Sequence, residues 1–98
     1  MRIISKSALI DFWLKQPLSQ EPLTIWYQKV TIANWNSFNE LKTDFTSADY
    51  VGDNRFVFNI GGNKYRLIAI VFFPSKKVYI RFVGTHAQYD KIKNIENI

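Results

Sequence analysis

Arg55-Phe-Val-Phe-Asn-Ile60, Lys64-Tyr-Arg-Leu-Ile-Ala-Ile-Val-Phe-Phe73 and Lys77-Val-Tyr-Ile-Arg-Phe-Val83 are three runs dense in β-branched and aromatic residues. Gly61-Gly62 parts the first two and Pro74-Ser75-Lys76 the last two, so they read as consecutive antiparallel strands of a meander. If Gly61-Gly62 is a two-residue loop, Ile60 faces Asn63, Asn59 faces Lys64 and Val57 faces Arg66. An even second loop pairs Phe73 with Val78, Ile70 with Arg81 and Arg66 with Thr85. Lys64, Arg66 and Arg81 then share one face with Asn59, whereas an odd loop or a bulge would send Arg81 to the other. The opposite face collects Phe56, Phe58, Tyr65, Leu67, Ala69, Val71, Ile80 and Phe82 and suits packing against helices.

Those helices are legible upstream. Arg2 to Ser5 reads as a short strand, and Ser7 to Gln16 as a helix with Ala8, Leu9, Phe12 and Trp13 on one stripe, stopped by Pro17. Ser19 is a candidate N-cap for a second helix, with Glu21 and Pro22 in its first turn and Leu23, Trp26, Tyr27 and Val30 on its apolar face. Ser37-Phe-Asn-Glu40 has the form of a capping box ahead of a third helix striped by Phe38, Leu41 and Phe45. The expectation is an α+β fold in one domain over residues 1–98, with N-terminal helices on one face of an antiparallel sheet and residues 94–98 frayed.

Composition narrows the function classes. Of 98 residues, 47% are hydrophobic and 16% aromatic, too greasy for a disordered chain. Cysteine is absent, which removes disulfides, thiolate metal sites and thiol nucleophiles and points to a cytoplasmic protein. No apolar run has the length of a signal peptide or a membrane helix, so no membrane partner is expected. The net charge of +5 is uneven: five bases and five acids cancel through Asp49, and eight bases against three acids follow. A local positive field of this kind favours a polyanion, nucleic acid ahead of a membrane.

Thr85-His-Ala-Gln88 repeats the capping-box pattern and opens a short helix expected to run to about Ile92. It places His86 at a helix start beside the cationic face, with Tyr89 and Asp90 one turn on. A single His, no Cys and no carboxylate cluster leave no metal site legible. Gly61-Gly62-Asn63 lies between strands and does not cradle phosphate, and no Gly-x-Ser-x-Gly elbow exists. What remains is metal-free, cation-assisted chemistry on a phosphodiester. Arg55, Asn59, Lys76, Lys77 and Lys91 are candidate RNA or phosphate contacts, and Thr85 and Asp90 candidate orienting groups.

The run Val57-Phe-Asn-Ile-Gly-Gly-Asn-Lys-Tyr-Arg-Leu-Ile68, then Tyr79-Ile-Arg-Phe-Val-Gly-Thr-His86 and Tyr89-Asp-Lys91, resembles the HigB-type toxins of bacterial type II toxin–antitoxin modules. Trp35, Leu41-Lys42 and Ala48-Asp49 also fit, so the likeness spans roughly residues 1 to 92. It implies a RelE-like fold and an mRNA interferase, needing no cofactor, that cuts translated messages on the ribosome. It also implies a cognate helix-turn-helix (HigA-type) antitoxin, with DNA reached only through that complex. The family's phosphate-binding and catalytic positions fall on Lys64, Arg66, Arg81, His86 and Tyr89.

The residues permit such a mechanism. The RNA's 2′-hydroxyl attacks phosphorus and the 5′-oxygen takes a proton as it leaves. Arg66 and Arg81 would clamp the phosphate, and Lys64 would add charge or take the 2′-proton. His86 would carry a proton, with Tyr89 as its alternative or as a stacking surface. Two other readings compete: a toxin of the same fold acting as a ParE-type gyrase poison, and a plain RNA-binding module. The second needs paired aromatics on the exposed face, where Ile68, Ile70 and Phe72 are expected but no such pair.

Overall fold

A computed structural model describes residues 1–98, the side chain of Glu96 excepted. Strand β1 (Arg2–Ile4) leads into helices α1 (Lys6–Lys15) and α2 (Gln20–Ile32), joined by a 3₁₀ turn at Pro17–Ser19, and then α3 (Phe38–Asp44). Strands β2 (Asp49–Gly52), β3 (Arg55–Ile60), β4 (Tyr65–Phe72) and β5 (Lys77–Thr85) follow, then α4 (His86–Asp90) and a 3₁₀ turn at Ile95–Asn97. The sheet runs β1-β5-β4-β3-β2. The antiparallel meander forms its centre, β1 adds in parallel beside β5, and β2 adds antiparallel beside β3. Asp49–Gly52 is too short to stand out as a strand in sequence. It pairs because Gly52, Asp53 and Asn54 all take positive φ and fold the chain back tightly onto Arg55.

All three N-terminal helices pack on one sheet face. Leu9, Leu23, Trp26, Val30 and Leu41 are buried there against Phe56, Phe58, Leu67, Ala69 and Val71. Phe58 is gripped edge-on by Trp26 and Phe45, at centroid separations of 5.5 and 5.1 Å. This is the greasy face the alternation predicts, with one exception. Phe82 lies opposite Ile68 on the other side, because a bulge in β5 reverses the alternation ahead of it.

The three candidate caps divide. Thr85 makes both halves of a capping box: its Oγ1 accepts from the Gln88 amide at 3.2 Å, and the Gln88 side-chain oxygen accepts from the Thr85 amide at 2.8 Å. Ser37 heads α3 without a side-chain cap bond, and Glu40 instead accepts from Asn36 at 3.4 Å. Ser19 is buried and already helical in backbone, so its hydroxyl turns back and donates to the Gln16 carbonyl at 2.6 Å. The chain's end, expected to fray, makes its 3₁₀ turn beside β2. Among the described residues no helix is long and apolar enough to cross a membrane.

Candidate functional site

The face of the sheet away from α1, α2 and α3 carries the cationic residues, and two turns decide how they lie. The first hairpin has a four-residue loop, Gly61–Lys64, where the glycine pair predicts two. The partners are therefore Ile60 with Tyr65, Asn59 with Arg66 and Val57 with Ile68. A slip of two residues preserves every face, so Asn59 and Arg66 still point together. Lys64, however, leaves the ladder and stands exposed in the turn. Packing sets this register: Tyr65 buries against Phe12, edge-on at 5.7 Å.

The second hairpin also closes with four residues, pairing Phe72 with Lys77 and Ile70 with Tyr79. Arg81 is the extra residue of a bulge between Ile80, opposite Ala69, and Phe82, opposite Ile68. Arg66 consequently faces Gly84, where the alternation predicts Thr85. The bulge does not send Arg81 to the helix side. Ile80 before it and Val83 after it both pack on the helical core, so the two residues between them share the open face. Arg81 confirms this by donating its Nε to the Ile98 carbonyl, the same oxygen that takes Nη2 of Arg55. It sits about 7 Å along the strand from the level of Arg66.

At the far end of β4 the side chains converge. Nη1 of Arg66 donates to Oδ1 of Asn59 and, at 2.7 Å, to Oδ1 of Asn63. The guanidinium carbon lies 5.4 Å from the centroid of the Tyr89 ring, a cation–π stack. Nε and Nη2 of Arg66 have no acceptor among the described residues and remain available to an anion. Asn59 thus holds Arg66, and Asn63, which nothing in the sequence singled out, holds it too.

Helix α4 carries the imidazole of His86. The His86 amide donates to the Lys64 carbonyl at 3.1 Å, which ties the helix start to the β3–β4 turn. Nδ1 of His86 lies 2.9 Å from Oδ2 of Asp90, with the two side chains 42% and 58% exposed. A contact this exposed contributes little stability; its effect is to fix the ring through Nδ1. The helix ends at Asp90, short of the expected Ile92, with Lys91 as its exposed C-cap.

The remaining candidates scatter. Lys77 lies at the opposite end of the open face, paired with Phe72 and Arg2. Lys76 turns away: its Nζ donates at 2.7 Å to both the Trp35 carbonyl and Oδ1 of Asn36, tying the β4–β5 turn to the loop before α3. Burial, and secondarily the charge of Lys76, hold the Met1 ammonium below its ordinary pKa. Phe72 and Tyr79 form an edge-to-face pair at 5.8 Å on the open face, where no aromatic pair is expected from sequence. The pair becomes visible only once the register puts Tyr79 opposite Ile70. Among the described residues no group of three His, Asp or Glu could hold a metal ion.

Residues 19–92 match the family model of HigB toxins, described as the RelE-like toxic component of a toxin–antitoxin system. The chain is 39% identical over 93 residues to the mRNA interferase toxin HigB of Escherichia coli (strain K12) and to the mRNA interferase HigB of Shigella flexneri, covering 92% of this chain and 88% of each relative. It is 30% identical over 94 residues to the mRNA interferase HigB of Escherichia coli O6:H1, covering 94% of this chain and 91% of the relative. With the α+β fold and the Arg66–His86 arrangement already in place, these matches make the chain a member of the HigB family of RelE-like toxins.

Proposed function

We propose that this chain is an mRNA interferase that cuts messages as the ribosome translates them, through attack of the RNA's own 2′-hydroxyl on the adjacent phosphorus. The new 2′-oxygen–phosphorus bond forms as the bond to the 5′-oxygen breaks, leaving a 2′,3′-cyclic phosphate and a free 5′-hydroxyl. One group takes the 2′-proton, another delivers a proton to the leaving oxygen, and neither step needs a metal or a cofactor. Arg66, held through Nη1 by Asn59 and Asn63, holds the nonbridging oxygens through Nε and Nη2 as they gain charge. Nε2 of His86 transfers a proton, and Asp90 fixes the ring through Nδ1. Lys64, exposed beside His86, adds positive charge or takes the 2′-proton. Tyr89 stacks on Arg66 and stiffens it. Arg81 and Arg55, further along the sheet, bind flanking phosphate, and Lys77 and Lys91 extend the electrostatic track. Lys76 has no part in this track, since its ammonium is engaged elsewhere.

The observation that supports this reading is that α4, whose first amide donates to the Lys64 carbonyl, carries both the imidazole bonded to Asp90 and the Tyr89 ring stacked on Arg66. The relatives named mRNA interferase favour it over a gyrase poison. A helix-turn-helix antitoxin of the HigA type holds the toxin in check in the cytoplasm, and DNA is reached only through that complex. The test is primer extension on a translated message. Wild type should cut inside the reading frame, and His86→Ala should cut about 10²- to 10⁴-fold more slowly. Undiminished cutting by His86→Ala removes the imidazole from the chemistry. Inhibited supercoiling with intact messages moves the chain to the gyrase reading.

A further inference from the structure

Two rows of residues close the end of the open face away from Arg66. Phe72, Lys77 and Arg2 stand side by side on β4, β5 and β1, and Ile70, Tyr79 and Ile4 make the next row. Phe72 and Tyr79 meet diagonally across the rows, their ring centroids 5.8 Å apart and their planes at 79°. An edge covers at most one face of the ring it meets, so each ring keeps a face that the other leaves free. Phe72 is 39% exposed although β4 is an inner strand of the sheet. Beside it, the Arg2 guanidinium and the Lys77 ammonium make no ion pair or side-chain hydrogen bond among the described residues, and neither row holds a carboxylate. An aromatic pair next to unpaired cations matches a nucleotide, which brings a flat base and an anionic phosphate in one unit. An apolar protein surface laid here would strand both charges.

We infer that Phe72 and Tyr79 stack an unpaired nucleobase of the message, with Arg2 and Lys77 on its phosphates, as a binding subsite remote from the bond that is cut. This rests on the reading that the open face takes RNA, and adds to it a base contact and a footprint. Phe72 lies six residues along β4 from Arg66, about 20 Å. The base on Phe72 therefore stands about six nucleotides from the phosphate at Arg66 at the stacked spacing of roughly 3.4 Å, and fewer where the strand is stretched. Every base has a face to stack, so the subsite raises affinity without setting a sequence preference.

Binding is measured with a single-stranded oligomer whose sugars are all 2′-deoxyribose, so that no 2′-hydroxyl can attack, and with an abasic oligomer of the same length and charge. Wild type should prefer the base-bearing strand. Phe72→Ala should weaken that strand about 5- to 100-fold and leave the abasic one unchanged, and Phe72→Trp should restore the preference. Arg2→Ala and Lys77→Ala should weaken both strands alike, each flattening the slope of log affinity against log salt by about 0.7. On the unmutated chain, the Phe72 and Tyr79 ring-proton NMR signals should shift upfield as the base-bearing strand saturates the protein and stay in place with the abasic one. Equal affinity of wild type for the two strands, or ring signals unmoved at saturation, overturns the subsite and leaves the RNA reading standing. Failure of both strands to bind overturns the two together. Unchanged oligomer binding by Phe72→Ala also overturns the subsite. Loss of ribosomes from that variant in sedimentation would then give the rings a ribosomal base, and loss of its antitoxin would give them a protein.

Discussion

Along β4, Leu67, Ala69 and Val71 face the helices and are wholly buried, while Arg66, Ile70 and Phe72 between them face the open side. One strand therefore serves as core wall and as platform for the candidate site, with neighbouring residues answering to different requirements. The helix side is decided by close packing of aromatic and branched groups, where volume matters. The open side is decided by hydrogen bonds that aim charged groups, where geometry matters and volume hardly does. Substitutions on the two sides should therefore separate stability from activity.

The largest stability effect belongs to the helix side. Phe58→Ala removes a ring 1% exposed and clasped by Trp26 and Phe45, and should cost about 3–5 kcal/mol in urea unfolding. Cleavage per folded molecule should stay close to normal below the transition. A loss under about 1 kcal/mol would mean that the aromatic clasp is not the keystone of this face.

Arg66→Lys tests the other side. It keeps the charge but loses the planar fork that Asn59, Asn63 and Tyr89 orient, so single-turnover cleavage should fall by about 10²-fold. Stability should move by no more than about 0.5 kcal/mol. A cleavage rate within twofold of wild type would show that charge alone suffices at this position. A large loss of stability would show that Arg66 is structural.

The two sides also differ in how far they could be read in the sequence. The meander and its greasy face follow from alternation, which survives a slip of two residues; Leu67 and Phe58 share a face whichever even loop closes the hairpin. The site depends on what alternation does not encode. The four-residue loop takes Lys64 out of the ladder and brings Asn63 onto Arg66. The β5 bulge keeps Arg81 on the open face, because packing of both Ile80 and Val83 on the core leaves one residue over. Lys76 looks like any basic turn residue until its Nζ is seen bonded to Trp35 and Asn36. Phe72 and Tyr79 sit in different strands, and nothing local announces that they meet.

Caps give the finest contrast, since the same four-residue pattern occurs at Ser37 and Thr85 and only the second makes its bonds. Helix α4 has five residues, far too few to persist alone, and it holds both His86 and Tyr89. Its start depends on the reciprocal Thr85–Gln88 bonds and on the His86 amide donating to the Lys64 carbonyl. Thr85→Ala should lower stability by about 1 kcal/mol and slow cleavage as well, because a frayed α4 releases the imidazole and the Tyr89 ring together. Thr85→Ser, which keeps the acceptor, should restore both. Ser37→Ala should change stability by less than about 0.5 kcal/mol and leave cleavage alone, since no cap bond is lost. Equal losses from Thr85→Ala and Ser37→Ala in thermal unfolding would show that the bonds at Thr85 do not hold α4. Intact cleavage in Thr85→Ala would show that the site does not depend on the start of α4 staying helical.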